Sequence, residues 1–307
     1  MANTPFSGIY PILYAFFDRD ERIDAAAMAA QVEACIAAGA HGIALLGFVT
    51  EFNKLAAPEK QALTELVASQ IRGRLPLAVT LSENNVPAML AQARAAKAAG
   101  AAWLIVQPPQ VRGLPESALE NFFDRVMDGT DLPCAIQIYP AAMDVVVSPA
   151  TLASLARRHP NFRLLKGEGG PVYLKRVIEM TEGKLDVFDG RGGLEYPASF
   201  RAGAVGVIPA PDVTDALVGV HNALAAGNDA EADRLHAEAL GLIGFMMGPG
   251  TPEHFVTYGK PFFARRAGIA ELFARAPSAA PEAFGMAEVE RHLKRWGRFR
   301  REAPAQP

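Results

Sequence analysis

Cysteine is scarce. Cys35 and Cys134 are the only two, one in a helical pattern and one in a strand pattern, so no disulfide framework is available and both read as core thiols in a reducing compartment. No apolar run approaches a bilayer span, and the start, Met1 to Gly8, lacks the basic n-region and apolar h-region of a signal peptide; a cytoplasmic location is therefore expected. Neither sign of charge dominates. Thirty Lys and Arg against 33 Asp and Glu leave a net charge of -3 and a pI of about 6.1, which gives no electrostatic reason to expect nucleic acid or an anionic membrane as partner. The basic residues near the end, Arg291, Lys294, Arg295, Arg298, Arg300 and Arg301, read as the solvated face of a final helix. The six histidines are scattered without ligand spacing, and no Gly-rich phosphate fingerprint, Ser-His-Asp arrangement or nucleotide motif occurs. No metal and no cofactor is expected.

What is present is apolar and regular. Half of the 307 residues are hydrophobic, enough for one large core or two modest ones. A near-repeat stands out: Ala38-Gly39-Ala40 running into Ile43-Ala44-Leu45, Ala99-Gly100-Ala101 into Trp103 to Val106, and Ala202-Gly203-Ala204 into Gly206-Val207-Ile208. Each closes an Ala-rich helical segment with a glycine suited to the left-handed C′ position and starts an apolar strand at once. Further strand-like runs lie at Gly8 to Phe17, Leu75 to Leu81, Leu132 to Tyr139, Phe162 to Gly167 and Leu185 to Gly190, which makes eight by residue 209. Helical periodicity fills the gaps, for example Pro58 to Ile71, Asn85 to Ala99 and Ser148 to Arg158. The strands are continuous apolar runs, as strands buried on both faces are. Eight such units in this length predict a (β/α)8 barrel over residues 1–211, with a doubly wound sheet as the alternative. After Pro211 only helical patterns follow, roughly 212–226, 230–245 and 281–300. They predict a helical appendix, residues 212–307, packed on the barrel.

In such a barrel the strand C-termini carry the site. The most informative of them is Phe162-Arg163-Leu164-Leu165-Lys166-Gly167-Glu168-Gly169-Gly170-Pro171, an apolar strand that delivers a lysine and then a glutamate. Period-two alternation puts Lys166 and Glu168 on one face. A lysine inside a barrel is a candidate amine nucleophile toward a carbonyl carbon; the alternative is a solvated lysine at a strand end. Glu168 is a candidate acid-base group or a cap for the turn that follows it. The other strand ends offer Gly47 to Glu51, Ser82-Glu83-Asn84, Gln107 to Gln110, Gln137-Ile138-Tyr139, Asp189-Gly190-Arg191 and Ile208-Pro209. Gln137 is able to hydrogen-bond a substrate hydroxyl or to satisfy the barrel interior, and Tyr139, of the same parity, offers a hydroxyl. Ser82 and Asn84 are candidate contacts for a polyhydroxy tail, and Glu51 a brace for its own loop through backbone amides. A carboxylate set of Glu51, Glu168 and Asp189 holding a divalent ion beside an enolate is the competing chemistry.

These residues resemble the dihydrodipicolinate synthase / N-acetylneuraminate lyase family of class I aldolases, from about Gly8 to Arg300. Gly47 to Glu51 stands where that family has Gly-Thr-Thr-Gly-Glu, Lys166 where it has its Schiff-base lysine, and Gly206-Val207-Ile208 where it has Gly-Val-Ile. The resemblance implies an imine with pyruvate or another 2-oxo acid, a homo-oligomer (dimer or tetramer), and a substrate contact surface of Gly47, Phe48, Val49, Thr50 and Ile208, with backbone amides around Val49 on the carboxylate. The departures are chemical. The two loop threonines are Phe48 and Val49, the strand-five tyrosine is Gln137, the tyrosine often offered across a subunit interface is Gln110, and the usual arginine after strand five falls at Ala142, so the family's hydroxyl relay is missing. Glutamine at the tyrosine position and the Lys-Gly-Glu order are similar to the branch that contains L-2-keto-3-deoxyarabonate dehydratase. The expected function is a Schiff-base lyase dehydrating or cleaving a 2-keto-3-deoxy sugar acid, with Lys166, Glu168, Gln137 and Tyr139 as its catalytic set. Pyruvate–aldehyde condensation and a silent 2-oxo acid binding protein are the alternatives.

Overall fold

A computed structural model describes residues 5–143, 145, 147–248 and 251–299. Eight short strands are present: β1 (Gly8–Ile9), β2 (Ile43–Leu45), β3 (Leu77–Leu81), β4 (Trp103–Val106), β5 (Cys134–Ile138), β6 (Phe162–Gly167), β7 (Asp186–Asp189) and β8 (Gly206–Val207). Hydrogen-bonded neighbours run β1-β8-β7-β6-β5-β4-β3-β2, every pair parallel. The circle closes through residues 11–13. Ala44 N donates to Pro11 O at 3.0 Å, Leu13 N donates to Ala44 O at 3.0 Å, and Ile12 N donates to Pro209 O at 2.8 Å. The run expected as one strand from Gly8 to Phe17 is therefore a two-residue ladder followed by an extended closing segment, in which Pro11 has no amide to donate and bonding to the β8 end continues at Ile12.

Helices fill the spaces between strands, and several of them start where a side chain takes up free amides. The Asp24 carboxylate accepts from Ala26 N and Ala27 N ahead of α1 (Ala25–Ala37). Next is α2 (Ala57–Ile71), and Asn85 Oδ1 then accepts from Ala88 N at 2.9 Å to open α3 (Val86–Ala98). After α4 (Glu116–Asp128), the Ser148 hydroxyl accepts from Thr151 N at 3.2 Å at the start of α5 (Pro149–Arg158). The ring continues with α6 (Pro171–Met180), α7 (Tyr196–Arg201) and α8 (Thr214–Ala225). Helix α8 follows β8 and packs on β1 and α7, so the division drawn at residue 211 falls ahead of the eighth helix of the ring. The helices beyond the ring begin at Asp229.

These are α9 (Asp229–Met247), α10 (Lys260–Ala267) and α11 (Ala283–Trp296); Arg300 and Arg301 lie outside the described residues. The sequence patterns do not anticipate α10. It is eight residues long, carries Pro261 at its start, and is entered through a single turn at Pro252–His254 and a π-helical turn at Phe255–Gly259, so no apolar stripe has room to repeat. Among the described residues no helix is long and apolar enough to cross a membrane.

The floor of the barrel is aromatic. Trp103 on β4 stacks on Phe188 of β7 with centroids 5.5 Å apart, and Tyr10 meets Phe188 edge-on at 5.2 Å; all three are buried. Such a plug makes the barrel a packed core and leaves only its upper layer for chemistry.

Candidate active site

Strand register brings the upper layer together. Gln137 on β5 is the registered partner of Lys166 on β6, and Lys166 is the partner of Phe188 on β7. Residues in register on adjacent strands project side by side, so Gln137 and Lys166 leave their strands together. Glu168 stands two residues on, its amide held by Ile138 O at 2.8 Å, and its side chain shares the face of Lys166 as the alternation predicts. Lys166 Nζ lies 3.3 Å from Glu168 Oε1, and both side chains are 7 % exposed. Gln137 Nε2 donates to the same oxygen at 2.7 Å, and the Arg191 amide donates to Oε2 at 3.4 Å. Gly190 is needed for this placement: a Cβ there would stand 2.3 Å from Glu168 Cγ. The carboxylate is thus aimed at the lysine by strand, amide and glycine together, and its partners are Lys166, Gln137 and the Arg191 amide rather than the Gly169-Gly170 turn.

Beneath it runs a second amide. Gln107, one residue past β4, donates Nε2 to Gln137 Oε1 at 3.0 Å. That bond points the NH2 of Gln137 at Glu168, because the carboxamide has one acceptor side and one donor side. Gln107 was visible at a strand end, but nothing in the sequence assigns it a role.

A cavity of about 60 Å³ opens above the pair. Lys166, Glu168, Tyr139, Phe48, Val49 and Ile208 line it. Gln137, Gly47 and Thr50 are not in the lining. Gln137 is fully buried behind Glu168. Gly47 starts the 3-10 turn Phe48–Thr50 and packs so close to Ile12 that a Cβ would meet its Cδ1 at 2.1 Å. Thr50 Oγ1 donates to Leu13 O at 2.6 Å and so ties the loop to the closing segment. The amides of Thr50 and Glu51 bond Gly47 O and Phe48 O, whereas those of Phe48 and Val49 stand in the first turn, where no helical acceptor exists. Tyr139 is mostly buried against Phe48, ring centroids 6.2 Å apart; burial first, then the negative charge of Glu168, pushes its hydroxyl above the ordinary tyrosine range.

Ser82 and Asn84 stand outside the cavity. Asn84 Oδ1 accepts from Gln110 N at 2.7 Å, and Ser82 Oγ is 3.5 Å from Lys60 Nζ. Glu51 braces its loop, but through lysines: Lys54 Nζ lies 2.7 Å from Oε2 and Lys260 Nζ is bonded to Oε1. Removing one member of such a buried pair costs on the order of 3–5 kcal/mol, so the second loop is anchored to the start of α10. Glu51, Glu168 and Asp189 therefore do not converge, and among the described residues no three His, Cys, Asp or Glu side chains could hold a metal ion. Of the rest of the lining, Ile12 and Ala210 belong to the closing segment and the β8 end, whereas Arg191, Met247, Pro252 and Phe255 are supplied by the β7 end and the segments beyond the barrel. Their sequence around Pro252 has no strand-end position to flag them.

Asp189, at the end of β7, is fully buried and gives Oδ1 to the Gly190 amide at 2.7 Å. Burial, reinforced by Glu195 and Glu168 against the Ser199 and Gly190 contacts, pushes its carboxyl from 3.8 up to about 7. A folded-state value above the unfolded one means stability that is fully present below about pH 3.8 and lost as pH rises to about 7. Asp189→Asn, which keeps an oxygen for Gly190, should remove that slope. Denaturant unfolding of both proteins from pH 4 to 7 should show the parent losing stability relative to the variant; a constant difference would place the carboxylate, ionised, in the fold.

Three comparisons bear on this geometry. A family model described as the dihydrodipicolinate synthetase family matches residues 5–254. A 4-hydroxy-tetrahydrodipicolinate synthase from Methanoculleus marisnigri is 29 % identical over 239 residues, 76 % of this chain and 81 % of the relative. L-2-keto-3-deoxyarabonate dehydratase from Azospirillum brasilense is 26 % identical over 223 residues, 70 % of this chain and 72 % of the relative. Among solved structures, E. coli K12 YagE in complex with pyruvate superposes with a TM-score of 0.83 at 22 % identity, covering 95 % of this chain and 99 % of that one. Dihydrodipicolinate synthase from Aquifex aeolicus gives 0.87 at 19 %, covering 97 % and 100 %. The structural likeness supports the (β/α)8 fold with its additional C-terminal helices.

Proposed function

This chain belongs to the dihydrodipicolinate synthetase family, whose named members are lyases, and on that premise we propose that it binds a 2-oxo acid as an imine on Lys166 and dehydrates or cleaves a 2-keto-3-deoxy sugar acid. The observation that carries the reading is the buried Lys166–Glu168 pair at 3.3 Å, with Gln137 in the place where the family has its tyrosine. Lys166 Nζ adds to the C2 carbonyl and water leaves, giving an iminium ion that acidifies C3. Dehydration then needs one proton taken from C3 and one given to the departing C4 hydroxyl, and a single carboxylate beside the nitrogen serves both in turn. Hydrolysis of the imine returns the lysine. Phe48 and Val49 amides, free in their first turn, receive the C1 carboxylate, and Ile208 and Phe48 wall it.

Condensation of pyruvate with an aldehyde is the second reading, favoured by the name of the Methanoculleus relative. It needs a group that protonates the new alkoxide, a task for hydroxyls; here Gln137, Phe48 and Gln110 occupy the relay positions, and among the described residues Tyr139 is the one hydroxyl in the lining. Turnover on a panel of 2-keto-3-deoxy acids, beside pyruvate with aspartate semialdehyde, separates the two. Efficient synthesis of dihydrodipicolinate with no loss of any deoxy acid would overturn the proposal, and turnover of nothing would favour a silent binding protein.

A homo-oligomer, dimer or tetramer, is part of the same proposal. Sedimentation at micromolar concentration should show no monomer.

A further inference from the structure

We propose that Arg191 receives a second carboxylate at the far end of the bound 2-oxo acid, so that this site prefers 2-oxo diacids to monoacids of the same length. The inference rests on the imine reading and adds the substrate's other end. Arg191 lines the same cavity as Lys166 and its side chain is one-third exposed. Its charged partner is Glu195, 2.9 Å away through Nη1; for Nε and Nη2 no acceptor is found among the described residues. A guanidinium with open donors on the wall of a cavity is a fork shaped for a carboxylate.

The position in the ring assigns which carboxylate. The amides of the Phe48–Thr50 turn follow β2, and the strand order sets β2 across the barrel from β6. Arg191 follows β7, beside β6, and its Nη1 lies near Gly170, where a Cβ would meet it at 3.8 Å. A 2-oxo acid joined to Lys166 with C1 toward the β2 loop extends its chain away from that loop. Beside Lys166 and Arg191 the polar groups of the wall are Glu168 and Tyr139; Phe48, Met247, Pro252 and Phe255 are apolar, and Ser82 and Asn84 are elsewhere. Arg191 holds φ +50° between glycines, a left-handed conformation that carries a cost for any side chain with a Cβ.

The test is borohydride trapping on Lys166, read by mass, with 2-oxoglutarate against 2-oxopentanoate and 2-oxoadipate against 2-oxohexanoate, and pyruvate as control. The parent should show half-saturation with the diacid of at least one pair at about 10- to 100-fold lower concentration, the scale of a charge-assisted bond. Arg191→Asn, whose side chain tolerates positive φ, should bring that ratio close to one. Equal trapping within both pairs by the parent overturns the proposal. So does a ratio that survives in Arg191→Asn, including the case where diacid and monoacid weaken together because the arginine holds C1. Failure to trap even pyruvate would sink the imine reading itself.

Discussion

Lys166→Met is expected to leave the fold intact, abolish the borohydride-trapped adduct and lower turnover by on the order of 10⁴-fold or more, the scale on which a removed nucleophile is felt. The barrel offers no replacement at that place. Lys60 is engaged with Glu83 at 2.7 Å, and Lys54 and Lys260 are engaged with Glu51. None of the three lines the cavity. Methionine fills the lysine's volume, and Glu168 keeps its bonds to Gln137 and the Arg191 amide, so circular dichroism and thermal unfolding should report a native barrel. Parent protein incubated with pyruvate and borohydride should carry its adduct on the peptide containing Lys166, and the variant none. An adduct on another lysine, or activity that survives in the variant and is removed by a chelator, would transfer the chemistry to a metal-stabilised enolate.

Glu168→Gln should separate imine formation from turnover. The variant keeps an oxygen that accepts from Gln137 Nε2, the bond of 2.7 Å, so the side chain stays in place and trapping persists. What is lost is the proton acceptor beside the imine, and turnover should fall by on the order of 10²–10⁴, the usual worth of a positioned acid-base group. Single-turnover measurements distinguish slow elimination from slow imine formation. A variant that keeps its dehydration rate would move the proton transfer to Tyr139, the other polar group in the lining with an exchangeable proton on oxygen.

Those two residues are legible in the sequence. Lys166 and Glu168 follow from a strand that ends in an ionisable residue and from period-two alternation, which no packing detail alters. The eight strands were legible for a related reason: strands buried on both faces must be apolar throughout, and helical periodicity separates them. Gln107 was less legible. A glutamine at a strand end is either solvated or buried, and only the registered neighbour decides which; here that neighbour is Gln137, and the bond between them sets which end of its amide meets the carboxylate.

By itself the sequence determined what depends on neighbours close along the chain: strand and helix positions, the shared face of Lys166 and Glu168, and the replacement of the family's hydroxyls by Phe48, Gln137 and Gln110. The tertiary structure decided what depends on residues distant along the chain. Glu51 is neutralised by Lys260, 209 positions away; Arg191 and Phe255 share a wall with Lys166; burial pushes the Asp189 carboxyl up to about 7. Charge, desolvation and cavity shape act through space and fall off over a few ångströms, so residues whose partners come from other elements declare their roles only once the barrel has closed.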